Sequence, residues 1–153
     1  MPKLDLAATP FATGSNYPDP FNDICLGSRW QKLGDAAGLT DFGVNLVRLG
    51  PGKWSSQRHW HSHEDEFVWV LEGELVLVED DGEHVLRPGD ACGWRAGERN
   101  GHHLQNRTDR EVVYLEVGSR RAEDGCDYPD IDMVSHPEGP HYRHRDGTPY
   151  PER

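Results

Sequence analysis

Apolar and polar positions alternate with a period of two along the middle of this chain, in short runs separated by turn residues. The run FGVNLVRL at residues 42–49 is a strong strand, stopped by Gly50-Pro51-Gly52. Residues 66–71 put Glu66, Val68 and Val70 on one face and Phe67, Trp69 and Leu71 on the other. Beyond Glu66 both faces are apolar, which predicts a strand buried on both sides. Glu72-Gly73-Glu74 turns it into residues 75–79, and Asp80-Asp81-Gly82-Glu83 turns those into 84–86. Further strands are predicted at 30–33, 91–94, 102–106 and 112–117. Many short strands at close spacing predict an all-β sandwich or barrel.

The ends read differently. Residues 1–23 are rich in Pro, Gly, Asn and Asp and predict an extended arm. Residues 119–153 are polar, are interrupted at Tyr128-Pro129, His136-Pro137 and Tyr150-Pro151, and carry little strand pattern. Their tyrosines, Tyr128, Tyr142 and Tyr150, predict an irregular arm packed on the barrel or on a partner subunit. The chain is expected to be one domain over 1–153, with a barrel core at 28–118, an N-terminal arm at 1–27 and a C-terminal arm at 119–153.

Composition narrows the classes. A chain of 153 residues can bury a core without covalent staples. Its apolar content of 35%, with 17 Gly and 11 Pro, suits short strands and turns better than a helical bundle. The three cysteines are odd in number and widely spaced, so a disulfide framework is not expected. Cys92 reads as a small buried apolar residue. The N-terminus lacks the apolar core of a secretory leader, and no apolar run spans a membrane; a cytoplasmic location is expected. The formal charge of −11 repels phosphate backbones and anionic lipid, so neither nucleic acid nor a membrane is an expected partner.

Chemistry concentrates in HWHSHEDEF at 59–67. On a strand His59 and His61 share a face about 6.5–7 Å apart and can converge on one ion. Glu66 lies five positions after His61, an odd spacing, so residues 62–65 must turn or bulge if Glu66 is to join them. His63 reads as a surface residue in that bend, and Glu64 and Asp65 as solvated acids. A metal shared by His59, His61 and Glu66 is the favoured reading.

The same residues resemble the first conserved motif of the cupins. Gly52 stands six residues before His59, where that motif has five; His59-x-His61, four residues, Glu66, six residues and Gly73 then follow it in spacing. The second motif is matched more loosely. Gly89 and five residues lead to Arg95-Ala96-Gly97, with arginine in the usual proline position. Four residues, where two are usual, precede His102, and His102-x-x-x-Asn106 restores the ending. The resemblance covers roughly residues 42–117. It implies a cupin-type jelly-roll β-barrel, usually dimeric, and so a homodimer. It also implies one divalent transition metal (Fe, Mn, Ni, Zn or Cu) held by His59, His61, Glu66 and His102. His103 competes for the last place, and strand parity allows only one of the two unless the loop bends. Asn106 reads as a turn residue.

Arg95, near the barrel rim, Arg48 and Trp94 are the candidate substrate-binding residues. The function expected is a metalloenzyme acting on a small polar molecule (a sugar, sugar phosphate or small carboxylic acid), of isomerase or dioxygenase type. The alternative is a non-catalytic module that binds or senses a metal or small ligand.

Overall fold

In a computed structural model describing residues 3–152, alternation and turn chemistry produce thirteen short strands. They are β1 (Phe11–Thr13), β2 (Ser28–Lys32), β3 (Phe42–Leu49), β4 (Trp60–His61), β5 (Glu66–Glu72), β6 (Leu75–Glu79) and β7 (Gly82–Leu86). β8 (Ala91–Trp94), β9 (His103–Gln105), β10 (Val112–Ser119), β11 (Cys126–Tyr128), β12 (Met133–Ser135) and β13 (Tyr142–Arg143) follow. One turn of helix, α1 (Leu33–Ala36), follows β2. No described helix is long and apolar enough to cross a membrane.

The strands form three antiparallel sheets. Six lie in the order β1-β2-β3-β10-β5-β8, three in the order β7-β6-β9, and four in the order β13-β12-β11-β4. The core lies between the first two sheets. Leu49, Val70, Val112 and Tyr114 from the large sheet meet Leu75, Leu77, Leu86 and Leu104 from the small one. Complete burial of a Leu or Val side chain contributes about 1.5–3 kcal/mol, so this cluster fixes the register of both sheets. The β5–β6 turn depends on Gly73, whose φ is +81°. A Cβ there would lie 2.9 Å from Val112 Cγ2.

The inward faces of the three central strands run from apolar to polar. On β3 they read Leu49, Val47, Asn45; on β10, Val112, Tyr114, Glu116; on β5, Val70, Val68, Glu66. The register sets Asn45 beside Glu116 and Glu116 beside Val68. One end of the sandwich is therefore a dry core and the other a polar cavity.

Several expectations are corrected. The first strong pairing starts inside the N-terminal arm, where β1 lies along β2. Gln31 of β2 is buried because the arm covers it: its Nε2 donates to the carbonyls of Leu6 and Thr9 at 2.7 and 2.9 Å. The strand expected at 30–33 stops at Lys32, since Leu33 opens α1. β5 is not buried on both sides: Phe67 and Trp69 remain 45% and 44% exposed on the outer face of the large sheet. The C-terminal segment is more regular than its composition suggests. β11, β12 and β13 form a sheet with β4, anchored by buried Tyr128 and Met133. Arg145 also binds Asp127 twice, at 2.9 and 3.0 Å, and the Tyr128 carbonyl at 2.8 Å. Strands of two or three residues are too short for alternation to register in the sequence.

Candidate metal centre

The odd spacing before Glu66 is absorbed by a break between sheets. His61 ends β4, residues 62–65 bend, and Glu66 opens β5 in the large sheet. His59, just before β4, exchanges backbone hydrogen bonds with His102, at 3.2 and 2.9 Å. The residues preceding these histidines are also tied together. Arg58 Nη1 donates to the Gly101 carbonyl at 2.9 Å and to Asp80, and Nε and Nη2 grip Asp130 at 2.8 and 2.7 Å. Arg58 thus pins the two histidine segments side by side.

Four side chains converge. His59 Nε2 lies 3.2 Å from His61 Nε2, and His61 Nε2 lies 3.1 Å from Glu66 Oε1. His59 Nε2 is 3.8 Å from the same oxygen, and His102 Nε2 lies against Glu66 Oε2. The opposite nitrogen of each ring is occupied. Nδ1 of His59 meets the Gln57 carbonyl at 2.8 Å, and Nδ1 of His102 meets the Asn100 carbonyl at 2.9 Å. Nδ1 of His61 meets Asp124 Oδ2 at 2.7 Å. A carbonyl or carboxylate only accepts, so each Nδ1 carries the proton and each Nε2 turns a lone pair inward. Trp94 stacks on His102, with ring centroids 3.7 Å apart and planes within 3°, and fixes that ring's tilt.

Two bare imidazole nitrogens and a carboxylate this close repel one another unless a positive charge sits among them. The surroundings favour one. At His61 burial pulls the pKa down, but the Cys126 sulfur and the Glu66 carboxylate raise it further than burial lowers it. At Glu66 burial pushes the pKa up, and His102, His59 and His61 outweigh that and hold it well below the usual carboxylate range. Electrostatics that hold a proton here would equally hold a metal cation, and three nitrogens with one oxygen suit a divalent transition ion.

His59, His61, Glu66 and His102 are therefore brought together. His103 is not: its Nδ1 faces the Ser56 carbonyl at 2.8 Å, its Nε2 meets the Gln105 amide at 3.0 Å, and its ring packs edge-on to Trp54. Among the described residues His103 joins no converging group of ligand atoms. His63 is exposed and Glu64 accepts the Arg121 N–H at 3.0 Å.

The polar end of the sandwich holds a cavity with two lobes that share Ser55, Ser56, Tyr114 and Glu116. The inner lobe, about 240 Å³, reaches His59, Glu66 and His102; the outer, about 340 Å³, is lined by Asn16, Tyr17, Trp30, Asn45 and Tyr142 among others. Trp94 lines the inner lobe. Arg48 and Arg95, the other two expected substrate contacts, line neither. Arg48 lies between inward-facing Val47 and Leu49, so strand parity turns it outward, where it pairs with Glu111 at 3.6 Å. Arg95 follows β8 on an exposed turn.

Sequence reasoning missed Asp124, Asn45 and Glu116. Asp124 lies in the polar C-terminal segment with no motif around it. Asn45 and Glu116 do carry a signal, since each is a polar residue on the apolar face of a strand. Asn45 Nδ2 donates to Glu116 Oε1 at 3.3 Å. Burial and the nearby Glu66 charge raise the Glu116 pKa, against the opposing pull of Asn45, His59 and His61.

The family described as Cupin domain matches residues 45–118. A sugar phosphate isomerase of the cupin superfamily from Silicibacter pomeroyi DSS-3 is 47% identical over 98% of this chain and 97% of its own, with a TM-score of 0.92. A candidate sugar phosphate isomerase from Acidithiobacillus ferrooxidans is 28% identical over 86% and 83%, with a TM-score of 0.75. The polyketide cyclase RemF from Streptomyces resistomycificus, at 19% identity over 95% and 85% and a TM-score of 0.63, shares the fold. No curated protein matches the chain.

Proposed function

Since the chain belongs to the cupin superfamily, we propose that it is a divalent-metal-dependent enzyme that isomerises a small carbohydrate in the cavity beside His59, His61, Glu66 and His102. The observation that carries the metal is the pair of facing Nε2 atoms 3.2 Å apart, both of their Nδ1 atoms being engaged elsewhere. The carbohydrate and the isomerisation draw support from the Silicibacter pomeroyi relative, which is described as a sugar phosphate isomerase. A divalent ion bound there would supply Lewis acidity toward a carbonyl or hydroxyl oxygen.

The chain's own residues have separable tasks. The three histidines and Glu66 hold the ion, while Gln57, Asn100 and Asp124 fix their tautomers. Asn45 and the serines at 55 and 56 offer hydrogen bonds to hydroxyls along the wall. Glu116 accepts from Asn45 through Oε1, which leaves Oε2 to take a proton from one carbon or hydroxyl and return it to its neighbour. Trp94 and Tyr114 close the apolar side of the inner lobe and limit water.

The test combines loading and exchange. Protein loaded separately with Fe, Mn, Ni, Zn or Cu is incubated with free and phosphorylated aldoses and ketoses in D2O, and NMR follows deuterium entering the carbon beside the carbonyl. Metal-dependent exchange that is lost in Glu66→Gln is expected. Stoichiometric metal with no exchange from any sugar would refute the isomerase and favour a binding module.

A further inference from the structure

We propose that the cavity takes an uncharged, polyhydroxylated molecule, a free sugar in preference to its phosphate ester. This rests on the metal-dependent carbohydrate reading and narrows it. Among the described residues, no Lys or Arg lines either lobe, whereas Glu66 and Glu116 both do. Apart from the histidines of the inner lobe, the other polar lining consists of amide and hydroxyl groups, among them Asn16, Asn45, Ser28, Ser55 and Ser56. Trp30 and Trp94 add flat apolar surfaces. Amide and hydroxyl groups beside aromatic faces suit alternating C–H and O–H surfaces, not a dianion.

The nearby arginines are committed to carboxylates, and Lys53 stands outside the lining of both lobes. Lys53, whose charge reaches Cys25 in the outer lobe, donates its Nζ to the Asp23 carbonyl at 3.0 Å. Arg58 is bound to Asp80 and Asp130, and Arg48 and Arg29 share Glu111. A bound metal would add positive charge only at the inner end. With the reacting carbons of a sugar there, a terminal phosphate would extend into the outer lobe, whose described lining holds no Lys or Arg. Removing a phosphate dianion from water without a cation or a dense set of donors is strongly unfavourable. The Glu116 carboxylate between the lobes adds like-charge repulsion.

The experiment uses the full-length protein loaded with Mn²⁺. Its probes are fructose, xylose and ribose, each against its terminal phosphate ester. Calorimetry and the fluorescence of Trp30 and Trp94 read binding. Each free sugar that binds should do so at least tenfold more tightly than its ester. In Glu116→Gln the ratio should narrow at least threefold. Esters binding as tightly as or more tightly than the free sugars overturn the inference, as does failure of every free sugar to bind, or a ratio that Glu116→Gln leaves unchanged. Free sugars that bind selectively yet exchange no hydrogen in D2O sustain this inference and sink the isomerase. Exchange confined to phosphate esters does the reverse.

Discussion

Asp124→Asn isolates the residue furthest in sequence from the histidines it serves. Asp124 makes two contacts: Oδ2 with His61 Nδ1 at 2.7 Å and Oδ1 with the backbone N–H of His63 at 2.9 Å. Both partners donate. An amide has one accepting oxygen, so Asn in either orientation sets an NH2 group against a donor. If it keeps the His63 contact, the His61 proton moves to Nε2, the atom that would ligate. If it flips, the loop at His63 loses its anchor. Changing a hydrogen-bond partner behind a metal ligand commonly weakens affinity about 10–100-fold, or about 1.4–2.8 kcal/mol. Metal bound only to the folded state stabilises by mass action, so at saturating Mn²⁺ or Zn²⁺ the Tm advantage of the holoprotein should shrink by several degrees. Competition against a graded chelator series, with elemental analysis, measures the affinity; scanning calorimetry with and without metal measures the coupling. Affinity within twofold of the parent, with the apo Tm unchanged, would refute the tautomer argument.

Other predictions follow from the same geometry. His102→Ala should abolish stoichiometric metal, while His103→Ala should keep metal but lose about 1–3 kcal/mol by stranding the Ser56 carbonyl; more metal lost from the second variant would reverse the assignment. Asn106 is fully buried and bonds the Leu49 and Arg110 carbonyls and the Thr108 N–H. Asn106→Ala should therefore cost about 2–4 kcal/mol in urea unfolding, and a loss under 1 kcal/mol would show that water replaces these bonds. The Arg58 hydrogen bond lowers the Asp130 pKa despite partial burial, so this pair stabilises the fold above the unfolded carboxylate pKa of about 3.9 and is lost as pH falls through the lower folded value. Arg58→Met should flatten that acid limb; an unaltered stability profile below about pH 4 would contradict it. Phe67 and Trp69 lie exposed beside Leu115 and Val117 on the outer sheet face, and a second copy is proposed to cover them. Sedimentation should find a dimer that Trp69→Lys converts to a folded monomer, and a dimer unaffected by that change would place the contact elsewhere.

Local rules carried far in this chain. Period-two alternation at 42–49, 66–71, 75–79 and 112–117 and the turn glycines sufficed for an all-β fold, because each signal lies within a few residues of the element it specifies. The spacing of His59, His61, Glu66 and His102 was legible for the same reason: two motifs, each local. What failed was long-range or too brief. Three-residue strands such as β11 cannot display a period, and β1 is recognisable only through its partner β2. Arg48 and Arg95 have the charge to hold an anion but not the position. Strand parity at β3 and an exposed turn after β8 direct them away from the cavity.

The sequence by itself determined the sandwich, the break that lets Glu66 rejoin the histidine pair, and three of the residues that meet, with the fourth left between His102 and His103. Only the tertiary structure decided how their tautomers are fixed and what surrounds them. Asp124 reaches His61 because β11 pairs with β4, and Glu116 shares an inward face with Glu66 because β10 pairs with β5. Such contacts depend on which strands become neighbours. Many pairings bury similar apolar area, and the choice among them is made by the whole core at once.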